Sequence, residues 1–205
     1  MEGARAGVFS RPLTLKAERG FSLGLRALGR LRHVIDFKKA YDLVERRIEE
    51  RYGIPVMISD VVHPNTGDFD GTRIQVDFDQ DLETAFFVLV HLFGHTVQWN
   101  ISEDYRRIGT DLSVGKGEKE LAAIYEYEQN ATRYSLQLMH EVGVRHLDRW
   151  LSDWWAADWR YLKHYYLTGE KLNFKTLLKP GEDELLTPIA IPEFVPQKWL
   201  SRWSF

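Results

Sequence analysis

The sequence predicts an α+β domain, and three observations carry that reading. Several segments repeat apolar residues at helical spacing, two short segments between the first and second of them are β-branched or alternating, and 44% hydrophobic with 13% aromatic residues supply one packed core. With 205 residues the chain has the size of one ordinary domain with terminal appendages. We read a basic N-terminal arm over 1–35, a core over 36–142 and a C-terminal extension over 143–205 packed on that core.

The arm mixes Gly, Ser, Pro and Arg without a period to Gly20; then Phe21, Leu25, Leu28 and Leu31 recur at helical spacing with Arg26, Arg30 and Arg32 between them. Residues 1–33 carry seven Lys and Arg against two Glu, a net +5. The net charge of −3 therefore leaves −8 on the remainder, which excludes a broad nucleic-acid footprint. An Arg-rich, acid-poor start shares its composition with organelle transit sequences but has no apolar secretory stretch. We read it as a surface arm on a protein expected in the cytoplasm.

Phe37, Ala40, Tyr41, Val44 and Ile48 form one face of a helix over 36–51, which Gly53 stops. Residues 54–58 are strand-like, residues 64–71 supply turns, and 72–78 alternates Ile74, Val76 and Phe78 with polar residues. A very apolar helix follows over 82–99, then a charged, glycine-containing loop over 100–117 and a helix over 118–142. A third, Trp-rich helix covers 147–167 and ends at Gly169; the proline-bearing tail cannot form a long helix and is expected to wrap the body. The most apolar stretch, Phe86 to Leu92, is far short of the roughly 20 residues that span a bilayer.

No cysteine is present, so disulfides, thiolate metal sites and a cysteine nucleophile are excluded, and any metal rests on His, Asp or Glu. His91-Leu92-Phe93-Gly94-His95 places two imidazoles one helical turn apart, where both can face one ion. A site needs at least one more protein ligand. On the next helix Leu121, Ile124, Tyr125, Glu128, Ala131, Ser135, Leu138 and Val142 make the buried stripe, whereas Glu126 falls with Lys119, Gln129 and Arg133 on a solvated face. A carboxylate on a core stripe needs a compensating charge, which makes Glu128 the third ligand of one divalent ion, zinc or Fe(II); a purely structural Glu paired with Arg or the histidines is the alternative.

This pattern resembles the ImmA/IrrE-like metallopeptidases, of gluzincin type, over residues 37–142. The stretch leading into His91-Leu92-Phe93-Gly94-His95, followed by Glu128-Gln129-Asn130-Ala131-Thr132-Arg133-Tyr134-Ser135, is similar to the family's H-E-x-x-H helix and its E-x-x-A-N-x-F-A helix. The resemblance implies a zincin-like fold, with a small antiparallel sheet packed on helices and zinc held between two of them by His91, His95 and Glu128. The departure is Leu92, where the family has the glutamate that moves the proton from metal-bound water to the leaving amine. Leucine does neither, and loss of such a group costs about 10²- to 10⁴-fold in rate.

Around this constellation, Gln98 and Trp99 lie one turn beyond His95, and Tyr125 and Tyr134 are candidate donors to a polarised oxygen, with core packing as the plainer role. Asp77, Asp79, Asp81 and Glu83 precede the metal helix as caps or imidazole partners. His140 and His146, six apart and interrupted by Gly143, do not make a site. The Trp-rich segment from Trp150 to Tyr161 is a cover for the core or a surface for a protein partner. Two function classes remain: a metalloenzyme acting on a small molecule or peptide, by zinc hydrolysis with another base or by non-haem Fe(II) chemistry, and a degenerate peptidase homologue kept for binding or regulation.

Overall fold

A computed structural model describes residues 36–62 and 65–199; the basic arm and its amphipathic segment lie outside the described residues. Helix α1 (Phe37–Tyr52) begins where the Asp36 side chain accepts the Lys39 N–H and ends at Gly53, whose φ of 66° is the left-handed conformation glycine supplies at low cost. Ala40, Tyr41, Val44 and Ile48 are its buried face. At its far end the Arg47 guanidinium and the Tyr52 hydroxyl donate to Glu141, tying α1 to the end of a later helix.

The sheet is small and mixed, with the order β1 (Val56–Ser59), β3 (Ile74–Asp77), β2 (Gly67–Phe69). β2 and β3 pair antiparallel with Gly67 opposite Val76, while β1 pairs parallel to β3 with Val56 opposite Ile74. The antiparallel expectation therefore holds for one pairing and is corrected for the other: the chain passes β1 and β2 before the returning strand inserts between them. The turn is held by Asp70 Oδ1, which accepts from Thr72 N, Thr72 Oγ1 and Arg73 N. β2 falls in a segment expected to be turn alone, because Gly-Asp-Phe has no strand-favouring pattern.

Helix α2 (Leu82–Ile101) starts at Asp81, which accepts the Thr84 N–H, and every residue from Ala85 to Trp99 is buried. Such a helix needs cover all round, and α1, the sheet and α4 (Glu118–Glu141) provide it. α2 and α4 approach closely: a Cβ on Gly94 would stand 2.1 Å from the Ala131 carbonyl oxygen, and Ser135 Oγ donates to the Val90 carbonyl at 2.6 Å.

The expected loop over 100–117 contains helix α3 (Glu103–Thr110). Its start signal is legible in retrospect: Ser102 accepts the Tyr105 N–H, and Glu103 and Asp104 fill the first turn. Beyond α4, helix α5 (Asp148–Thr168) packs against α4 and ends at Gly169, and a 3-10 turn follows at Phe174–Thr176. The tail wraps the body as expected: Leu186 is buried, and the backbone N–H groups of Ile189, Gln197 and Trp199 donate to Arg133 O, Asn100 Oδ1 and Asp70 O. Among the described residues no helix is long and apolar enough to cross a membrane.

Candidate metal centre

Helical phase on α2 brings His91 and His95 together, and the buried face of α4 brings Glu128 to them. The two imidazole Nε2 atoms are 2.9 Å apart, and Glu128 Oε2 lies 3.3 Å from His91 Nε2 and 3.2 Å from His95 Nε2. All three residues are buried. Ligand bonds of about 2.0–2.2 Å put neighbouring donors about 2.9–3.5 Å apart on a tetrahedral or octahedral face, so this triangle has the size one divalent ion requires. No hydrogen bond of good geometry reaches Glu128 Oε2, an orphan acceptor aimed at the triangle. Burial alone would raise the Glu128 carboxyl; His95 and His91 beside it more than offset that and hold it well below the usual range.

The surroundings of the two imidazoles differ. Gln98 Nε2 donates to the Tyr127 carbonyl at 2.6 Å, which leaves Gln98 Oε1 as the acceptor for His95 Nδ1–H at 2.9 Å. A neutral His95 held in this way carries its proton on Nδ1 and turns its Nε2 lone pair toward the triangle. The His95 ring is stacked between Tyr127, 4.6 Å away, and Phe69, 6.0 Å away. His91 stacks on Phe87 at 5.4 Å, but its Nδ1 is buried without a hydrogen-bond partner.

The cavity in front of the triangle is about 60 Å³, room for a handful of waters. Leu92 lines it, as do Thr66, Phe69 and Val88 on one side and Leu162 and Tyr166 of α5 on the other. The wall from α5 is fixed at its end, where Gly115 and Lys116 N–H donate to the Tyr166 carbonyl.

Of the sequence-derived candidates, Gln98 sits behind His95 as described and Trp99 lines the cavity. Tyr125 and Tyr134 do not line it: Tyr125 is half-buried, accepts from Gln129 and packs on Trp155 and Trp159, while Tyr134 joins the main core. Tyr125, two residues from Tyr127, falls on another face, whereas Tyr134 shares the phase of Tyr127 but stands two turns further along α4; the i, i+3, i+4 rule through Ile124 and Ala131 could have found Tyr127. Asp81 caps α2, Glu83 accepts from the Trp150 indole and Asp77 from the Gln80 amide, all of them roles at the start of α2. His140 pairs with Asp148, and His146 is exposed.

Sequence reasoning missed Asp158, on α5. The criterion that singled out Glu128 also applies to it: Leu151, Trp155, Asp158, Leu162 and Tyr165 follow helical spacing along the buried face. Asp158 is 1% exposed, neither oxygen has a hydrogen-bond partner, and burial pushes its carboxyl up to about 7, with His91 opposing and Glu128 adding to the rise. Comparison with protein-family models, curated proteins and solved structures finds no match.

Proposed function

We propose that this chain is a metal-dependent enzyme of zincin-like fold, similar to the ImmA/IrrE-like metallopeptidases, in which ordinary peptidase activity has been lost. The observation that carries the reading is the buried triangle of two imidazole nitrogens and one orphan carboxylate oxygen. Zinc suits two imidazoles and a carboxylate with open positions, and so does Fe(II). Either ion, when bound, supplies Lewis acidity and an activated water or a site for oxygen chemistry. His95 is held by Gln98 with its Nε2 lone pair forward, and Glu128 contributes the negative charge.

Leu92 supports the loss of peptide hydrolysis, because it lines the cavity where the resemblance implies a glutamate. Among the described residues lining the cavity the carboxylates are Glu128 and Asp68. With Glu128 in the triangle, Asp68 is the one of the two left to act as another base. The small, largely apolar cavity fits a small molecule better than a peptide, and it also favours the second reading, a catalytically degenerate homologue that binds or regulates.

The test is elemental analysis of protein purified without added metal, followed by assays with zinc and with iron. About one divalent ion per chain, with an unstructured peptide left uncleaved, is the expected result. Protein that takes up neither ion overturns the metal reading. Efficient, metal-dependent peptide cleavage that His95→Ala abolishes overturns the claim that peptidase activity is lost.

A further inference from the structure

The two imidazoles have unequal support behind them, and the missing half is present on another helix. His95 Nδ1 has its acceptor in Gln98, but His91 Nδ1 is a buried nitrogen without a partner. A neutral His91 that gives its Nε2 lone pair to an ion carries its proton on Nδ1, so a donor stands on the far side of the ring. A buried N–H donor needs an acceptor.

Asp158 is placed to be that acceptor. One turn before it on α5, Trp154 packs on Phe87 at 5.0 Å, and Phe87 is the ring that stacks on His91 from one turn earlier on α2. One turn after it, Leu162 lines the same cavity as His91, His95 and Glu128. Asp158 therefore lies level with His91 between these contacts, and the groups whose electrostatics act on its carboxyl are His91 and Glu128. It does not line the cavity, and it is not among the side chains that converge on the triangle. This position argues against a direct ligand or a base on bound water and for a place behind the ring.

We propose that Asp158 is a positioning residue that accepts the Nδ1–H of His91 when the triangle holds an ion, fixing the Nε2 lone pair toward it and balancing its charge together with Glu128. Carboxylates behind metal-bound histidines act in this way, and their removal typically costs about 10- to 100-fold in metal affinity. The proposal rests on the metal reading above and adds to it a part of the chain, beyond residue 142, that the family resemblance does not cover.

The test compares the full-length chain with its Asp158→Leu and Asp158→Asn variants, measuring zinc affinity by chelator competition, the visible spectrum of the cobalt-loaded form and the ring N–H signals of the zinc-loaded form. Leucine removes an unpartnered buried carboxylate, so the metal-free Asp158→Leu protein should melt no lower than the parent. Its zinc affinity should nevertheless fall about 10- to 100-fold, with loss of the protected His91 Nδ1–H signal. Asparagine keeps an acceptor oxygen and should lose less. Unchanged affinity and an unchanged His91 signal in Asp158→Leu overturn the proposal while leaving the metal reading intact. Loss of an oxygen ligand from the cobalt spectrum of Asp158→Asn overturns it in favour of direct ligation. A parent chain that binds neither zinc nor cobalt overturns both.

Discussion

Helices α2 and α4 each deliver part of the candidate metal triangle, yet they are built differently. α2 is buried on every side from Ala85 to Trp99, so its sequence has no face to read, and its histidines stand out only by their spacing. α4 is amphipathic: Glu128 is buried and Glu126, two residues away, is exposed. A uniformly buried helix fixes the position of its polar side chains by packing, whereas an amphipathic one selects by phase which of several like residues is buried.

The strongest test of that contrast is at the triangle. His91→Ala, His95→Ala or Glu128→Ala should each remove most of the bound metal, read by elemental analysis, while Glu126→Ala should leave it in place. The reverse outcome for the two glutamates would break the assignment of faces on α4. Next in size is the crossing itself. Gly94→Ala would drive a methyl into the backbone of Ala131, which cannot yield without parting the helices. A cost of about 3 kcal/mol in denaturant unfolding is expected, together with lower metal content. A smaller effect is expected at Ser135→Ala, which removes the bond from α4 to the Val90 carbonyl: about 1 kcal/mol, with metal content retained.

The smallest effect concerns the connection between α3 and α4. Hydrogen bonds from Lys116 and Ser113 hold the Asp111 carboxyl at about 2, below its ordinary 3.8. A depressed carboxylate stabilises the fold fully above its unfolded value and loses that contribution as pH falls from about 4 through about 2. Asp111 is half exposed, so the effect should be about 1 kcal/mol or less. Asp111→Asn should flatten the acid side of the stability profile over that window, and an identical profile would show that the Lys116 pairing contributes nothing.

What was legible follows the same physics. Ala40, Tyr41, Val44 and Ile48 announced α1, and the interval of four between His91 and His95, with the buried phase of Glu128, announced the triangle. β2 was not legible, because three residues beginning with glycine carry no alternation and pair only because β3 returns between two strands. α3 was hidden by charge, although its capping serine was visible. Tyr127 and Asp158 fall on the buried phase of their helices, so their burial was legible; what they and Leu162 face depends on which helix meets which, a tertiary relation that no local period contains.

The strap formed by the tail bears on the order of assembly. A chain is made from its N-terminus, so His91, His95 and Glu128 all emerge before α5, and α5 before the residues whose N–H groups fasten to Arg133, Asn100 and Asp70. During synthesis the cradle precedes its wall, and the wall precedes its fastening. The residues of the triangle are therefore all made before Leu162 and Tyr166, the α5 side chains that line the cavity in front of it.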